Sequence, residues 1–348
     1  MGDITHDFET VLSKHKIRYP KMTEKDAVKL AFQSAFGAAH LANGLDWAVA
    51  SVKKEFESFS EIPGLPPFED IGGRKRLLLR SPEVRSLGYE TAARYFFESA
   101  AIDKTETSGA TGEKNFSEML STIERYFGTK KSDLGGGCPN HSDVYRAEYE
   151  PSYRVIGARV SEYFDIISKI TRIKKEKGRC VIAIDGRCAS GKTTAAEFLA
   201  KVTGGDVIHM DSFFLPPDMR TKERLNEVGG NIDYERFLTE VAEKLPKKAP
   251  FGYLAYDCTT GKYLSCNVSN ADTVIIEGVY SLRNEFRRYY DVEAVFHVSK
   301  DEQLRRLKMR SPYQFKRFVD EWMPLEERYF DGLRAPNALH IPSERTDR

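Results

Sequence analysis

Cysteine is scarce in this sequence and poorly placed for pairing. There are five in 348 residues (Cys138, Cys180, Cys188, Cys258 and Cys266), an odd number and never spaced as C-x-x-C. That argues against a disulfide framework, and the thiols read as reduced, small apolar side chains. Cys138-Pro139-Asn140-His141 brings one thiol and one imidazole without a second pair, too few ligands for a structural zinc. An excess of one charge is also missing: 53 Lys+Arg against 52 Asp+Glu leaves a net charge of +1. Such a balance argues against bulk nucleic-acid binding. No apolar run approaches the roughly 20 residues of a membrane helix. The opening Met1-Gly2-Asp3-Ile4-Thr5-His6 lacks the basic-then-apolar pattern of a secretory signal. These absences lead us to expect a soluble, cytoplasmic protein with no membrane partner. They leave open whether it forms a homo-oligomer.

What is present is enough apolar residue, 41% of the chain, to fill real cores, and 30% charged residue for their surfaces. Single cores stop growing at roughly 250–300 residues, so two domains are expected. The first, 1–177, reads as mostly α-helical. Thr23-Glu24-Lys25-Asp26 resembles a helix start. Trp47, Val49, Val52 and Phe56 recur at helical spacing within 45–59. Prolines and glycines break any helix between 62 and 73. Two more helices are expected over 89–101 and 115–127, with 104–114 as an exposed loop between them. His40 reads as a packed helix-end side chain. A long helix is expected over 153–175, with Val155, Ile156, Val160, Tyr163, Phe164, Ile167 and Ile170 on its apolar side, ending in the charged run before Gly178.

After Gly178 the texture changes. Short apolar runs at 180–184, 207–210, 273–276, 292–298 and 338–341 alternate with helical patterns. This predicts an α/β domain over 178–348, built on a mainly parallel sheet covered by helices. Its first strand runs into Gly186-Arg187-Cys188-Ala189-Ser190-Gly191-Lys192-Thr193, a complete G-x-x-x-x-G-K-[ST], followed by Thr194 and a helix-forming series. Glycines let successive N–H groups curl around an anion, and the helix behind them adds the positive end of its dipole. Lys192 is expected on the β/γ-phosphates, and the Thr193 hydroxyl on Mg²⁺. Cys188, beside a helix N-terminus, is a candidate for a lowered pKa and ready alkylation.

Three downstream motifs complete the pattern. His209-Met210-Asp211-Ser212-Phe213-Phe214 places Asp211 at a strand's carboxyl end, where it could accept the proton of a substrate hydroxyl. Val274-Ile275-Ile276-Glu277-Gly278 ends an apolar strand on an acid suited to orienting Mg²⁺. In Leu304-Arg305-Arg306-Leu307-Lys308-Met309-Arg310, Arg306 and Arg310 share one helix face and suit the charge of a transferring phosphoryl group. Trp322, Glu326 and Glu327 read as packing and surface charge on a later helix.

Together these motifs resemble the uridine kinase/phosphoribulokinase group of P-loop kinases over about residues 178–343. The closing Ala338-Leu339-His340-Ile341-Pro342 is similar to that family's last short strand. The resemblance implies Mg-ATP as donor, a small-molecule hydroxyl as acceptor, Asp211 as the base and the arginine helix as a lid. It also points to an acceptor pocket bordered by Tyr256, while the stretch holding Asp233 departs from the family's pattern. Asp233, after the Gly229-Gly230 pair, suits either a sugar hydroxyl or the cap of the next helix. Tyr256, in Leu254-Ala255-Tyr256-Asp257, suits either a ring platform or strand packing. Two other readings stay open: a nucleotide-gated switch or ATPase whose helical half binds a partner, and a nucleic-acid-binding ATPase with a local basic face.

Overall fold

The computed structural model describes residues 4–38, 43–106, 109–135, 137–269 and 272–342; His40 lies outside them. By its internal contacts the chain divides into two units, one running through Ser161 and the other starting at Glu162.

The first unit contains α1 (Ile4–Arg18), α2 (Glu24–Phe36), α3 (Leu45–Ser58), β1 (Phe68–Asp70), β2 (Arg74–Leu78), α4 (Pro82–Ser86), α5 (Tyr89–Glu106), α6 (Gly109–Phe127), α7 (Asp143–Tyr149), β3 (Tyr153–Gly157) and α8 (Ala158–Ser161). Helix dominates, as expected, around a core that includes Leu30, Ile71, Leu77, Tyr95, Phe96 and Ile123. The small antiparallel sheet, in the order β1-β2-β3, was not expected. It also corrects the long helix expected from residue 153. Tyr153 to Gly157 are a strand paired with β2, Tyr153 opposite Leu78 and Val155 opposite Arg76. Val155 and Ile156 are both buried although adjacent. A strand covered on both faces produces the same apolar run as a helix stripe, so spacing alone cannot separate them. The polar stretch expected as a loop over 104–114 is largely helical too, α5 running to Glu106 and α6 starting at Gly109.

The second unit begins with α9 (Phe164–Lys177) and β4 (Cys180–Gly186), followed by α10 (Lys192–Thr203), β5 (Asp206–His209), α11 (Lys222–Asn226) and α12 (Tyr234–Glu240). Then come β6 (Phe251–Asp257), β7 (Lys262–Val268), β8 (Thr273–Glu277), α13 (Asn284–Arg287), β9 (Val292–His297), α14 (Lys300–Arg310), α15 (Phe315–Arg317), α16 (Met323–Gly332) and β10 (Leu339–Pro342). Five strands form one parallel sheet in the order β10-β9-β4-β8-β5. This is the α/β architecture expected from 178 onward, and every residue of β4 is buried between its covering layers. Helix α9 stops at Gly178, whose φ of 75° ends it in a left-handed cap. It buries Ile166, Ile167, Ile170 and Ile173 and packs on β4, β9 and α10. The division of the chain therefore falls before this helix, whereas the sequence places a boundary after it. Strands β6 and β7 form a separate antiparallel hairpin. No helix among the described residues is long and apolar enough to cross a membrane.

Candidate active site

The loop between β4 and α10 is shaped by its first glycine. Gly186 has φ 149°, and a Cβ there would lie 2.5 Å from the Phe296 carbonyl of β9, so no larger residue fits. Ala189 adopts φ 58°, unusual for a residue with a side chain. Thus the chain curls before α10 begins at Lys192. The first N–H groups of α10, which follow directly on the loop, have no intrahelical acceptor. The Ser190 hydroxyl is buried without a hydrogen-bond partner. An anion in the cradle would satisfy these donors, so the residues present fit a polyphosphate. Lys192 is nearly buried, and its Nζ donates to the Arg187 carbonyl at 2.9 Å, bridging the loop from within.

Strand order decides what faces this loop. β8 is the direct neighbour of β4, with Ile184 opposite Glu277. The Thr193 hydroxyl donates to Glu277 Oε1 at 3.2 Å. β5 lies on the other side of β8, with His209 opposite Glu277, and His209 Nδ1 lies 2.6 Å from the same oxygen. That hydrogen bond raises the His209 pKa above its usual value. A hydroxyl and a carboxylate oxygen on adjacent elements are the hard donors a magnesium ion takes, so Thr193 and Glu277 fit the expected metal pair.

Asp211 lies two residues past the end of β5. Its side chain reaches solvent at this strand edge, yet the surrounding protein raises its pKa. Desolvation is the main cause and the negative charge of Glu277 adds to it, opposed by Lys192, His209 and Arg310. The structure thus gathers Lys192, Thr193, Asp211, Glu277 and the charge of Arg310 at one edge of the sheet. Arg306 is held close to the loop, Nη1 donating to the Ala189 carbonyl at 3.0 Å and Nε to Glu302 at 2.7 Å. Arg310 is exposed, its guanidinium 5.8 Å from the centre of the Phe318 ring.

Several side chains at the loop were missed or misread from sequence. Asp185 is fully buried and accepts the N–H groups of Gly186 (2.7 Å) and Leu282 (2.9 Å) and the Tyr329 hydroxyl (2.7 Å). Glu326, expected at the surface, is buried and accepts the Cys188 N–H at 3.0 Å. Glu327 pairs with Arg187 at 2.7 Å. Gln303 of α14 donates to the Cys188 carbonyl at 3.1 Å. Cys188 itself is a correction: burial, reinforced by Glu326, pushes its pKa up to about 12.

The two acceptor-side candidates are both engaged. Asp233 caps α12, its Oδ1 accepting the Arg236 N–H at 3.1 Å and its Oδ2 accepting Arg236 Nε at 3.1 Å. Of the two roles open to it, the structure shows the cap. Tyr256 is buried in the hairpin opposite Tyr263, ring centres 5.3 Å apart. The Gly229-Gly230 pair before Asp233 is closely packed. A Cβ on Gly230 would lie 1.7 Å from the Arg224 carbonyl, so the chain itself occupies that room.

No family model matches the chain, and a search of curated proteins finds no match. Among solved structures it is similar to a protein described as a possible uridine kinase from Bacillus stearothermophilus, at 21% identity and a TM-score of 0.38, covering 50% of this chain and 99% of that one. It is also similar to a candidate fructose transport system kinase from a Silicibacter species, at 22% identity and a TM-score of 0.41, covering 47% of this chain and 90% of that one.

Proposed function

We propose that the second unit is an ATP-dependent phosphotransferase that moves the γ-phosphoryl group onto an alcohol of a nucleoside-like or sugar-like metabolite, in the manner of a uridine kinase. The observation that carries this reading is the placement of Asp211. It is a solvent-reachable carboxylate with a raised pKa, at the sheet edge shared with Lys192, Thr193 and Glu277. A switch that only binds nucleotide needs the phosphate cradle but no such base.

In this reading the loop from Gly186 to Thr194, with Arg187, Cys188, Ala189, Ser190 and Gly191 between, wraps the phosphates through its backbone. Lys192 neutralises the β/γ-phosphate charge. Thr193 and Glu277 would hold Mg²⁺, which supplies further neutralisation of phosphate charge. Asp211 takes the acceptor hydroxyl's proton as the oxygen attacks, and a raised pKa makes it a better base for that step. Arg310, with Arg306 anchored beside it on α14, balances charge on the transferring group. Asp233 acts through Arg236 by shaping the acceptor side, and Tyr256 stiffens the hairpin bordering it. The free thiols suit a cytoplasmic setting.

The test is a screen of nucleosides, sugars and other small alcohols for acceptor-dependent ADP release, repeated with Asp211→Asn. The variant keeps ATP affinity and loses ~10²–10⁴-fold in transfer. Transfer at the parent rate would remove Asp211 from the base role. Tight Mg-ATP binding with no acceptor turned over by the parent protein would replace the kinase by the nucleotide-gated switch.

A further inference from the structure

The kinase reading uses nothing from the first unit, yet that unit buries Asp26, Gln33, Glu69, Arg76 and His141 to at least nine-tenths. Burying such groups costs stability that apolar residues would not. Four elements and one turn bring them together, Glu69 coming from β1. Asp26, Lys29 and Gln33 form one stripe of α2 at helical spacing, Arg76 lies in β2, and Tyr153 opens β3. His141 comes from the turn just before α7, with its ring stacked on Tyr145 at 4.3 Å.

Their hydrogen bonds have a fixed direction. An ionised Asp26 can only accept, so the hydrogen lies on His141 Nδ1, 2.9 Å from Asp26 Oδ1. Neutral His141 then offers Nε2 as an acceptor, and the Tyr153 hydroxyl donates to it at 2.6 Å. Burial opposes the charge on Asp26. Hydrogen bonds from His141, from the N–H and hydroxyl of Ser142 and from the N–H of Thr23 outweigh that, and the carboxyl sits well below its usual range. Burial also lowers His141, which keeps it neutral, and raises Tyr153, which keeps the phenol protonated until a base acts on it.

Gln33 and Arg76 offset part of the cost of charge on the phenol oxygen, although Arg76 also donates to Glu69 Oε2 at 2.9 Å and burial still holds the phenol pKa up. Gln33 Oε1 accepts from Arg76 Nε (3.2 Å) and Nη2 (2.9 Å), and the Tyr153 hydroxyl lies within reach of both ends of this amide, 3.2 Å from Nε2 and 3.4 Å from Oε1. The Arg76 guanidinium lies 4.3 Å from the centre of the Tyr153 ring. On the partly exposed side stand Tyr153 and Lys29. Lys29 Nζ donates to the Pro139 carbonyl at 3.0 Å and lies 4.0 Å from Cys138 Sγ, and among the described residues it pairs with no carboxylate. A nucleophile, a base within hydrogen-bond reach and a third group orienting the base are the parts of an activated catalytic centre.

We propose that the first unit carries a second catalytic centre. Tyr153 is its reactive phenol, His141 the base, Asp26 the positioning carboxylate, and Lys29 the anchor for an anionic small molecule bearing a carboxylate or phosphate. The step is a proton relay. The Tyr153 proton moves to His141 Nε2 as the phenol oxygen takes a proton from the substrate, leaving the substrate one charge more negative and His141 protonated. Asp26 stays ionised throughout.

The probe is 4-(fluorosulfonyl)benzoate, an anionic sulfonyl fluoride, applied to the full-length protein with the modified tyrosines mapped by mass spectrometry. In its reaction the phenol oxygen bonds to sulfur, fluoride leaves and the phenol proton goes to His141. Tyr153 is expected to react at least ~10-fold faster than Tyr313, which is fully exposed. This comparison needs no variant. His141→Gln should drop Tyr153 to the Tyr313 rate. Lys29→Met should slow this probe and not the neutral phenylmethanesulfonyl fluoride. Protection by inorganic phosphate assigns a phosphate-bearing substrate, and protection by succinate a carboxylate; protection by neither overturns the anion site. Equal rates at Tyr153 and Tyr313 in the parent protein, or an unaltered Tyr153 rate in a His141→Gln protein that melts normally, would overturn the centre itself.

Discussion

The Glu326 carboxylate takes the backbone N–H of Cys188 at 3.0 Å, joining α16 to the front of the phosphate loop. Burial raises the Glu326 pKa, and the Cys188 N–H and the charge of Lys192 oppose that rise. Gln303 of α14 reaches the Cys188 carbonyl from another side, and its amide nitrogen also lies 3.5 Å from Glu326. Arg187 is tied to Glu327 and stacks over the Phe330 ring at 4.8 Å. The loop's first half is thus held by side chains from α14 and α16.

Removing this clamp has a measurable consequence. Glu326→Ala leaves a buried N–H without an acceptor and should destabilise the protein by about 1–3 kcal/mol. Glu326→Gln offers an amide oxygen to the same N–H and should recover much of that loss. Thermal melting of both variants, with and without Mg-ATP, checks the clamp. An Ala variant as stable as the parent would show that the contact carries no weight.

The thiol beside that clamp makes a second test. With its pKa pushed up to about 12 by burial and Glu326, Cys188 holds almost no thiolate at pH 8. Cys258 is exposed. Iodoacetamide at pH 8 should therefore modify Cys258 first and Cys188 at least ~10-fold more slowly. Peptide mapping over a time course gives both rates. Rapid, ATP-sensitive alkylation of Cys188 would restore the reactive thiol expected from its sequence position.

That reversal shows where sequence reasoning stops. The phosphate loop is legible because its chemistry is contiguous: eight residues fix the curl, the lysine and the hydroxyl. Asp211 and Glu277 are legible because each ends an apolar run, and strand ends in a parallel sheet converge on one edge. Glu326 and Gln303 meet Cys188 from 138 and 115 residues away, and on their own helices they look like ordinary polar positions. The environment of Cys188 was set by these distant partners rather than by the nearby helix terminus. The strand at Tyr153 was hidden because β2, its partner, lies more than seventy residues earlier, and no local pattern announces the pairing.

Acid should weaken the first unit through Asp26 and His141. The Asp26 pKa is lower folded than unfolded, so its contribution is present above the unfolded value of 3.8 and fades as pH falls toward the folded one. His141 is also lowered in the folded state, so the unfolded chain binds its proton first and stability begins to fall below about pH 6.5. Both act in the same direction. Asp26→Asn should cost about 2–4 kcal/mol at pH 7, and the gap should narrow only as pH falls below about 4, where the parent starts to lose what the variant already lacks. Denaturant melts at several pH values measure this, and a pH-independent gap between the two proteins would exclude the ionised carboxylate as the source.

One guanidinium ties together the elements proposed to border the acceptor. Arg236 holds the Asp233 carboxylate through Nε, donates to the Leu254 carbonyl through Nη1 and to the Ser212 carbonyl at 3.2 Å through Nη2, and lies over the Phe213 ring at 4.4 Å. It therefore joins α12, hairpin strand β6 and the residue after Asp211. Arg236→Met keeps the apolar stem but leaves Asp233 half-paired and two carbonyls without donors, a loss of about 2–3 kcal/mol. Arg236→Lys should recover only part of it, because an ammonium cannot span the same fork. The phosphate loop, Thr193 and Glu277 do not touch Arg236, so the KM for ATP should stay near its parent value. The KM for the acceptor should rise about tenfold, equivalent to roughly 1.4 kcal/mol of lost positioning. Steady-state kinetics with each substrate varied in turn separates the two. Equal rises in both constants would mean that the variant has loosened the whole unit, and Arg236 would lose its role as the organiser of the acceptor side.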